Sequence, residues 1–235
     1  MVMMHFPERD LSHAAVVAVK SNPSGSVFGK PFGSGIYRNY LKRVFDTLAI
    51  LASLPVILPA IAVLALLIRR DGGPAFYSQD RVGRNGRMFR FWKLRSMVVD
   101  ADARLADYLA TDPEASAEWD ATQKLKNDPR VTGIGRIIRK ASLDELPQLW
   151  NVFRGDMSLV GPRPMMPEQV ELYSGRAYFD LRPGLTGFWQ IGDRNETNFS
   201  DRAVYDTRYA RRLSFTTDLS ILARTVRPIL HGTGY

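Results

Sequence analysis

The sequence predicts a mostly helical α+β protein attached to one side of a membrane, and three observations support this. Residues 48–68 contain no charged side chain. Residues 75–97 alternate apolar and polar side chains on either side of the turn 83–86, as a β-hairpin does. Residues 201–213 and 218–230 have the spacing of amphipathic helices. Together they fit a re-entrant membrane helix, a small β-hairpin and helices lying at the membrane interface.

The composition is that of a chain that folds, since 45% of the 235 residues are apolar and 24% are charged. There is no cysteine, which excludes a disulfide framework and a thiolate zinc site. The histidines His5, His13 and His231 are too few for a histidine-rich metal centre and a poor basis for a Ser-His-Asp triad.

The net charge of +8 lies entirely in the first part of the chain. Residues 1–100 have 14 Lys and Arg against 6 Asp and Glu, whereas residues 101–235 have 18 of each kind. A basic excess suits nucleic acid and an anionic membrane surface equally, because both are polyanions. The uncharged segment inside the basic region favours the membrane, so we expect anionic lipids and no nucleic acid as partners.

We expect three regions along the chain. Residues 1–38 are predicted as a flexible N-terminal extension, because residues 21–35 are rich in Gly, Ser and Pro. Residues 39–70 form the membrane segment, and residues 71–235 form a folded domain that opens with a Gly-Gly-Pro turn. Within it, residues 99–110 have helical spacing.

The membrane segment would be about 31 Å long as a helix, close to the hydrocarbon thickness of a bilayer. A signal peptide fits poorly, because more than forty residues precede the segment. A buried core helix is the other interpretation. Pro55 and Pro59 lack the N–H that continues a helix, which favours a break near the centre.

Basic residues flank this segment at both ends, as Lys42 and Arg43 on one side and Arg69 and Arg70 on the other. The positive-inside bias therefore draws both ends to the cytoplasm. A helix that enters the bilayer, breaks and returns satisfies both the charges and the prolines. A kinked helix that spans the membrane is the alternative, because spanning helices tolerate proline.

The most concentrated polar signal is residues 136–164, which include the adjacent acids Asp144 and Glu145. One interpretation is a helix capping box that starts at Ser142, although Pro147 disfavours a helical Leu146. The other is chemical: one carboxylate attacks a phosphorus atom while its neighbour helps to hold Mg²⁺. An acidic pair is enough for Mg²⁺ when phosphate oxygens and water complete the octahedron.

Three arginines lie in turn-rich contexts where a guanidinium can be fixed against phosphate: Arg139, Arg163 and Arg182. Two prolines enclose Arg163 in the segment 161–164 and fix the backbone on both sides. Arg182 opens another rigid turn, Arg-Pro-Gly. Each arginine alone is more commonly a solvated surface residue, and it is their joint occurrence that indicates a phosphate site.

The chain resembles the bacterial sugar transferases, monotopic polyprenyl-phosphate phosphoglycosyl transferases, in several segments. These are KRVFD at residue 42, the apolar segment with Pro59, the basic stretch ending at Met97, SLDELPQLWNVFRGDMSLVGPRP and RPGLTGFWQ. The resemblance covers about residues 40–230. One departure is Leu58, because the family commonly has Ser before the proline at the helix break.

The resemblance implies that sugar-1-phosphate moves from a UDP-sugar to undecaprenyl phosphate, which gives undecaprenyl-diphospho-sugar and UMP. This reaction is the first membrane step of exopolysaccharide or related glycan synthesis. By the same analogy Asp144 is the nucleophile and Glu145 contacts Mg²⁺. The residues expected to bind substrate phosphate are Arg139, Arg163, Arg182, Lys93 and Arg95.

The resemblance also implies a helix-break-helix at Pro55 and Pro59 in the bacterial inner membrane, with residues 71–235 as a catalytic domain on the cytoplasmic face. A homodimer and the identity of the sugar stay open, with galactose and glucose as candidates. Two alternative functions are a membrane-anchored adaptor without activity and a spanning glycosyltransferase that moves a sugar without its phosphate.

Overall fold

A computed structural model describes residues 35–122, 125–192 and 199–230. The predicted N-terminal extension, residues 1–38, lies outside the described residues apart from its last four. The helices are α1 (Lys42–Ile68), α2 (Ala101–Thr111), α3 (Pro113–Thr122), α4 (Gly133–Lys140), α5 (Gln148–Arg154), α6 (Ala177–Asp180), α7 (Phe188–Ile191), α8 (Arg202–Arg212) and α9 (Phe215–Leu230). The strands are β1 (Phe76–Val82), β2 (Met88–Leu94), β3 (Ser158–Val160) and β4 (Gly184–Thr186). This composition confirms the mostly helical α+β prediction.

The predicted hairpin is present, because β1 and β2 pair antiparallel with Phe76 opposite Leu94 and Val82 opposite Met88. Asn85 and Gly86, both with positive φ, close the turn between them. A second sheet, which the sequence analysis did not predict, joins β3 and β4 in parallel. Each of these strands has only three residues, too few to show an alternating pattern.

The core consists of several apolar clusters under these elements. One joins Val160 of β3 to Tyr209 of α8 and Ile221 of α9. Within α8 the buried residues are Ala203, Asp206, Tyr209 and Ala210. Val204 of the same helix is 68% exposed.

The long apolar helix α1 contacts the domain at both ends. Near its start, Ile50 is buried with Phe91 and Val152, and at its end Ile68 is buried with Leu94 and Ile138. Between these ends, from residue 51 to residue 67, no side chain is buried. The helix is long and apolar enough to cross a membrane by length and composition.

Pro55 and Pro59 both lie inside α1, which is helical throughout its length. A π-helical turn, Tyr37–Leu41, leads into it from the N-terminal side. The helix therefore has no non-helical break at the prolines, and a path that returns to the same side of the bilayer stays a prediction.

Candidate active site

The adjacent acids Asp144 and Glu145 lie in a 3₁₀ turn, Leu143–Glu145, between α4 and α5. Ser142 before them has φ 55°, in the left-handed region that costs a residue with a Cβ about 1–2 kcal/mol. Its side chain makes no capping hydrogen bond, and α5 begins at Gln148 with Leu146 in the right-handed helical region. The capping-box interpretation is therefore wrong, as is the expectation that Pro147 keeps Leu146 out of that region.

Lys93 connects the two acids. Its Nζ donates hydrogen bonds to Asp144 Oδ2 at 3.2 Å and to Glu145 Oε1 at 2.9 Å. The lysine lies near the end of β2, opposite Tyr77 of β1, so the hairpin brings it to the 3₁₀ turn. Because one ammonium group faces two carboxylates, the trio has a net charge of −1 when all three are ionised.

The surroundings shift the pKa values of the two carboxyl groups in opposite directions. Burial raises the pKa of Asp144, and the charge of Glu145 adds to this rise while Lys93 and Arg139 oppose it. Burial acts on Glu145 too, but Lys93 and Arg163 outweigh it and hold the pKa of Glu145 below its usual value. Such a split is typical of paired carboxyl groups with different chemical roles.

Two of the predicted arginines belong to this site. Arg139 Nε donates to Ser96 Oγ at 2.8 Å, and its charge acts on Asp144. The Arg163 guanidinium lies 5.6 Å from the ring centroid of Trp189, and its charge acts on Glu145. Contacts with neighbouring groups thus hold both guanidinium groups in place.

Arg182 and Arg95 make their contacts elsewhere. Arg182 Nε donates to the Gly155 carbonyl at 3.0 Å. Arg95 is bound by Asp71 through both carboxylate oxygens, at 2.6 and 2.8 Å, and donates to the Ile68 carbonyl at 3.3 Å. It also donates to the carbonyls of Pro74 and Met97. Arg95 therefore ties the end of α1 to the end of the hairpin, and the structure does not bring these two arginines to the acidic pair.

The two rigid motifs of the sequence, residues 161–164 and 182–187, are packed against each other. Gly161 N donates to the Thr186 carbonyl, and Gly184 N donates to the Pro162 carbonyl, both at 2.8 Å. A Cβ on either glycine would collide with the backbone of the other motif. This close approach explains the glycines and fixes the loop that carries Arg163.

The acidic pair has the donor chemistry that Mg²⁺ prefers. Among the residues that the structure describes, no group of three His, Cys, Asp or Glu could hold a metal ion. Two carboxylates are nevertheless sufficient for Mg²⁺, which completes its octahedron with water and phosphate oxygens. Asp144 and Glu145 therefore fit the predicted ion, with Lys93 beside the same oxygens.

Sequence reasoning missed two arginines near Arg163. Arg81 is in β1, and Arg202 is the first residue of α8. Arg81 lies in the basic stretch that the charge count had identified, but Arg202 has no sequence signal, because only the tertiary fold places it near Trp189. The guanidinium of Arg202 lies 4.4 Å from the centroid of that ring.

The chain belongs to the bacterial sugar transferase family, whose family model matches residues 37–232. It is 48% identical over 197 residues to the UDP-galactose-lipid carrier transferase of Erwinia amylovora. It is 45% identical over 197 residues to the undecaprenyl-phosphate galactose phosphotransferase of Salmonella typhimurium. Each match covers 83% of this chain but only 41% of the relative, so the chain spans about two fifths of those proteins.

A shorter relative matches over most of its own length. The exopolysaccharide production protein ExoY of Rhizobium meliloti is 44% identical over 196 residues, which are 82% of this chain and 87% of the relative. The family predicted from the sequence is therefore confirmed.

Proposed function

We propose that the protein transfers sugar-1-phosphate from a UDP-sugar to undecaprenyl phosphate, as the first membrane step of exopolysaccharide or related glycan synthesis. The observation that carries this proposal is the pair Asp144 and Glu145, bridged by Lys93 and shifted to different pKa values. The names of the Erwinia and Salmonella relatives, a UDP-galactose-lipid carrier transferase and an undecaprenyl-phosphate galactose phosphotransferase, support the same reaction class.

In the proposed first step, a carboxylate oxygen of Asp144 attacks the β-phosphorus of the UDP-sugar. The bond from that phosphorus to the bridging oxygen breaks, and UMP leaves with the electron pair. In the second step a phosphate oxygen of undecaprenyl phosphate attacks the same phosphorus, and the Asp144 carboxylate leaves. A carboxyl group whose pKa is raised by burial is a better nucleophile when ionised, and Lys93 opposes its protonation.

The neighbouring residues would stabilise charge during these steps. Glu145, whose pKa is low, stays ionised and is suited to hold Mg²⁺ with its carboxylate. When bound, Mg²⁺ would supply positive charge to the phosphate oxygens. Arg139 and Arg163, fixed by Ser96 and Trp189, would bind the phosphate oxygens without reorganising.

Release of UMP tests this function directly. A panel of UDP-sugars is incubated with undecaprenyl phosphate and Mg²⁺, and the nucleotide product is identified for each sugar. The proposal expects UMP, whereas a glycosyltransferase that moves only the sugar would release UDP, and an adaptor would release neither. Incubation with labelled UDP-sugar alone should leave label on the protein, and the absence of trapped label would contradict the covalent step.

We also propose that α1 is re-entrant in the bacterial inner membrane, with the catalytic domain on the cytoplasmic face. The support is that both ends of α1 contact one domain while none of residues 51–67 between them is buried. The chain has no cysteine, so single cysteines at exposed Tyr40 and Arg70 can report topology in intact cells. Equal protection from an impermeant thiol reagent is expected, and labelling of only one position would contradict the arrangement.

Anionic lipids are proposed as a further partner through the exposed arginines of the hairpin, Arg84, Arg87 and Arg90. Changing all three to Glu should weaken binding to anionic vesicles much more than to neutral ones, because each cation near such a surface contributes about 1 kcal/mol. Equal loss on both vesicle types would contradict this role. A homodimer stays a prediction.

A further inference from the structure

A row of cationic groups leads away from the acidic pair along aromatic rings. Lys93 and Arg81 both lie against the ring of Phe91, with 5.7 and 5.3 Å from charge to centroid. The three residues lie on one face of the hairpin, because Arg81 is opposite Phe89, and Phe89, Phe91 and Lys93 alternate along β2 on the same face. The hairpin therefore carries Arg81 and the lysine of the site on the same surface.

The row continues beyond the hairpin. Arg163 and Arg202 both lie against the ring of Trp189, at 5.6 and 4.4 Å from its centroid. Arg202 also contacts the ring of Phe199 at 4.4 Å. Three guanidinium groups from β1, from the loop after β3 and from α8 thus lie close enough for their charges to act on one another, and the charge of Arg163 also acts on Glu145.

These guanidinium groups lie together, and none of them is held in an ion pair within the described residues. Among the described parts of the chain, no carboxylate forms an ion pair with Arg81, Arg163 or Arg202. The Nε atoms of Arg81 and Arg202 are buried without a hydrogen-bond partner there. Burial is the main cause that lowers the pKa of Arg202, to about 10, and the charges of Arg163 and Arg81 add to it although Asp206 opposes them.

Holding like charges together in a partly buried place costs free energy unless an anion compensates it. The aromatic rings orient the guanidinium groups but supply little charge. A phosphate group, with several acceptor oxygens and up to two negative charges, matches three converging guanidinium groups in both charge and hydrogen bonding.

We propose that Arg81, Arg163 and Arg202 form a phosphate-binding subsite beside the acidic pair, for a phosphate monoester that enters or leaves during the reaction. The inference rests on the proposed function and adds Arg81 and Arg202 to it. A nucleoside monophosphate and a polyprenyl phosphate present the same headgroup chemistry, so the experiment treats them as separate arms.

The test measures equilibrium binding to the full chain in detergent, without turnover. The probes are UMP and a short polyprenyl phosphate, geranyl phosphate. The variants are Arg81→Gln and Arg202→Gln, and the controls are exposed arginines outside the subsite, Arg104→Gln in α2 and Arg211→Gln in α8.

We expect the dissociation constant of at least one probe to rise about tenfold or more in both variants, since a hydrogen bond to a charged group contributes at that level. Both controls should stay within about twofold of the wild type. Weaker binding of UMP assigns the subsite to the nucleotide, and weaker binding of geranyl phosphate assigns it to the lipid.

Unchanged binding of both probes in both variants would overturn the subsite, as would equal weakening in the controls. Arg81→Lys and Arg202→Lys keep the charge and serve if a Gln variant fails to fold. Because binding is measured without chemistry, the proposed function can fail, through UDP release or absent covalent label, while the subsite stands. Conversely, unchanged binding in the Arg81 and Arg202 variants together with UMP release would overturn the subsite and leave the proposed function intact.

Discussion

Two lysine–carboxylate clusters of this protein contain the same kinds of residue and differ in surroundings. Lys42 Nζ lies 2.6 Å from Asp218 Oδ2, and the side chains are only 11% and 0% exposed. The hydroxyl groups of Tyr37 and Tyr209 complete the hydrogen bonds of Asp218, each at 2.7 Å. This cluster fastens the start of α1 to α9.

The cluster at Lys93 is more open and less balanced. Lys93 and Glu145 are 28% and 32% exposed, and one lysine serves two carboxylates at longer distances. Residue type alone therefore does not distinguish the ion pair that fastens two helices from the one proposed to act in the reaction. The cluster at Lys42 is buried and its hydrogen bonds are complete. The cluster at Lys93 is partly exposed to solvent, and its two carboxylates share one lysine.

The largest expected effect concerns the open cluster. Asp144→Asn keeps the size of the side chain but cannot form an acyl phosphate, so UMP release should fall by several orders of magnitude. Unfolding free energy should change by less than about 1 kcal/mol, because burial already disfavours the charge of Asp144. The assay compares UMP release and covalent label with Asp80→Asn, an exposed control. Near-normal release in the Asp144 variant would eliminate the covalent mechanism.

The closed cluster should respond in stability. Asp218→Ala leaves Lys42 buried without its counter-ion, and breaking such a pair typically costs about 3–5 kcal/mol. Denaturant unfolding in detergent measures the loss. Asp80→Ala removes the partner of Arg90 from an exposed pair and should cost less than about 1 kcal/mol. Similar losses of unfolding free energy in the two variants would show that burial does not determine how much an ion pair contributes to stability.

A buried carboxyl group without a lysine sharpens the comparison. Burial raises the pKa of Asp206 to about 7, although the Tyr173 hydroxyl donates to it at 2.9 Å. The folded state therefore holds a proton that the unfolded state has already lost, and stability falls as pH rises from about 4 towards 7. Asp206→Asn removes this dependence and should raise the unfolding free energy at pH 8 by about 1–4 kcal/mol. The difference should vanish near pH 4, and a constant offset would contradict the pKa assignment.

The smallest effect is a displacement of the pH profile. Lys93 lowers the pKa of Asp144, so Lys93→Met should move the acid limb of kcat/KM for UMP release to higher pH. Profiles from pH 5 to 9 are compared with those of Lys126→Met, an exposed lysine whose removal should leave the limb in place. An unchanged limb in the Lys93 variant would mean that Asp144 does not titrate in that step.

Local patterns were enough to predict much of the fold. The uncharged run gave α1, the alternation around Gly83 gave the hairpin, and helical spacing gave α2, α8 and α9 within a few residues. The parallel pair β3 and β4 could not be predicted, because its partners are far apart in the chain and nothing in the motifs 161–164 and 182–187 shows that they pack against each other.

The acidic pair was visible because Asp144 and Glu145 are adjacent in the chain and belong to a specific motif. Arg202 was not visible, since the folding of α8 onto Trp189 decides its position. Arg95 shows the opposite case: its motif suggested phosphate binding, whereas the structure surrounds it with Asp71 and backbone carbonyls. The role of an arginine can therefore be inferred only when the groups that contact its guanidinium are known.

The Arg95 clamp has a mechanical consequence. Arg95 follows Lys93 by two residues and donates a hydrogen bond to the carbonyl of Ile68, where the apolar helix ends. In the proposed membrane placement, a change in the tilt of that helix would act through Arg95 on the end of the hairpin, where Lys93 faces the two acids. In the proposed membrane placement, bilayer thickness would set the tilt of α1, and we expect the rate of the proposed reaction to differ between thin and thick lipid environments.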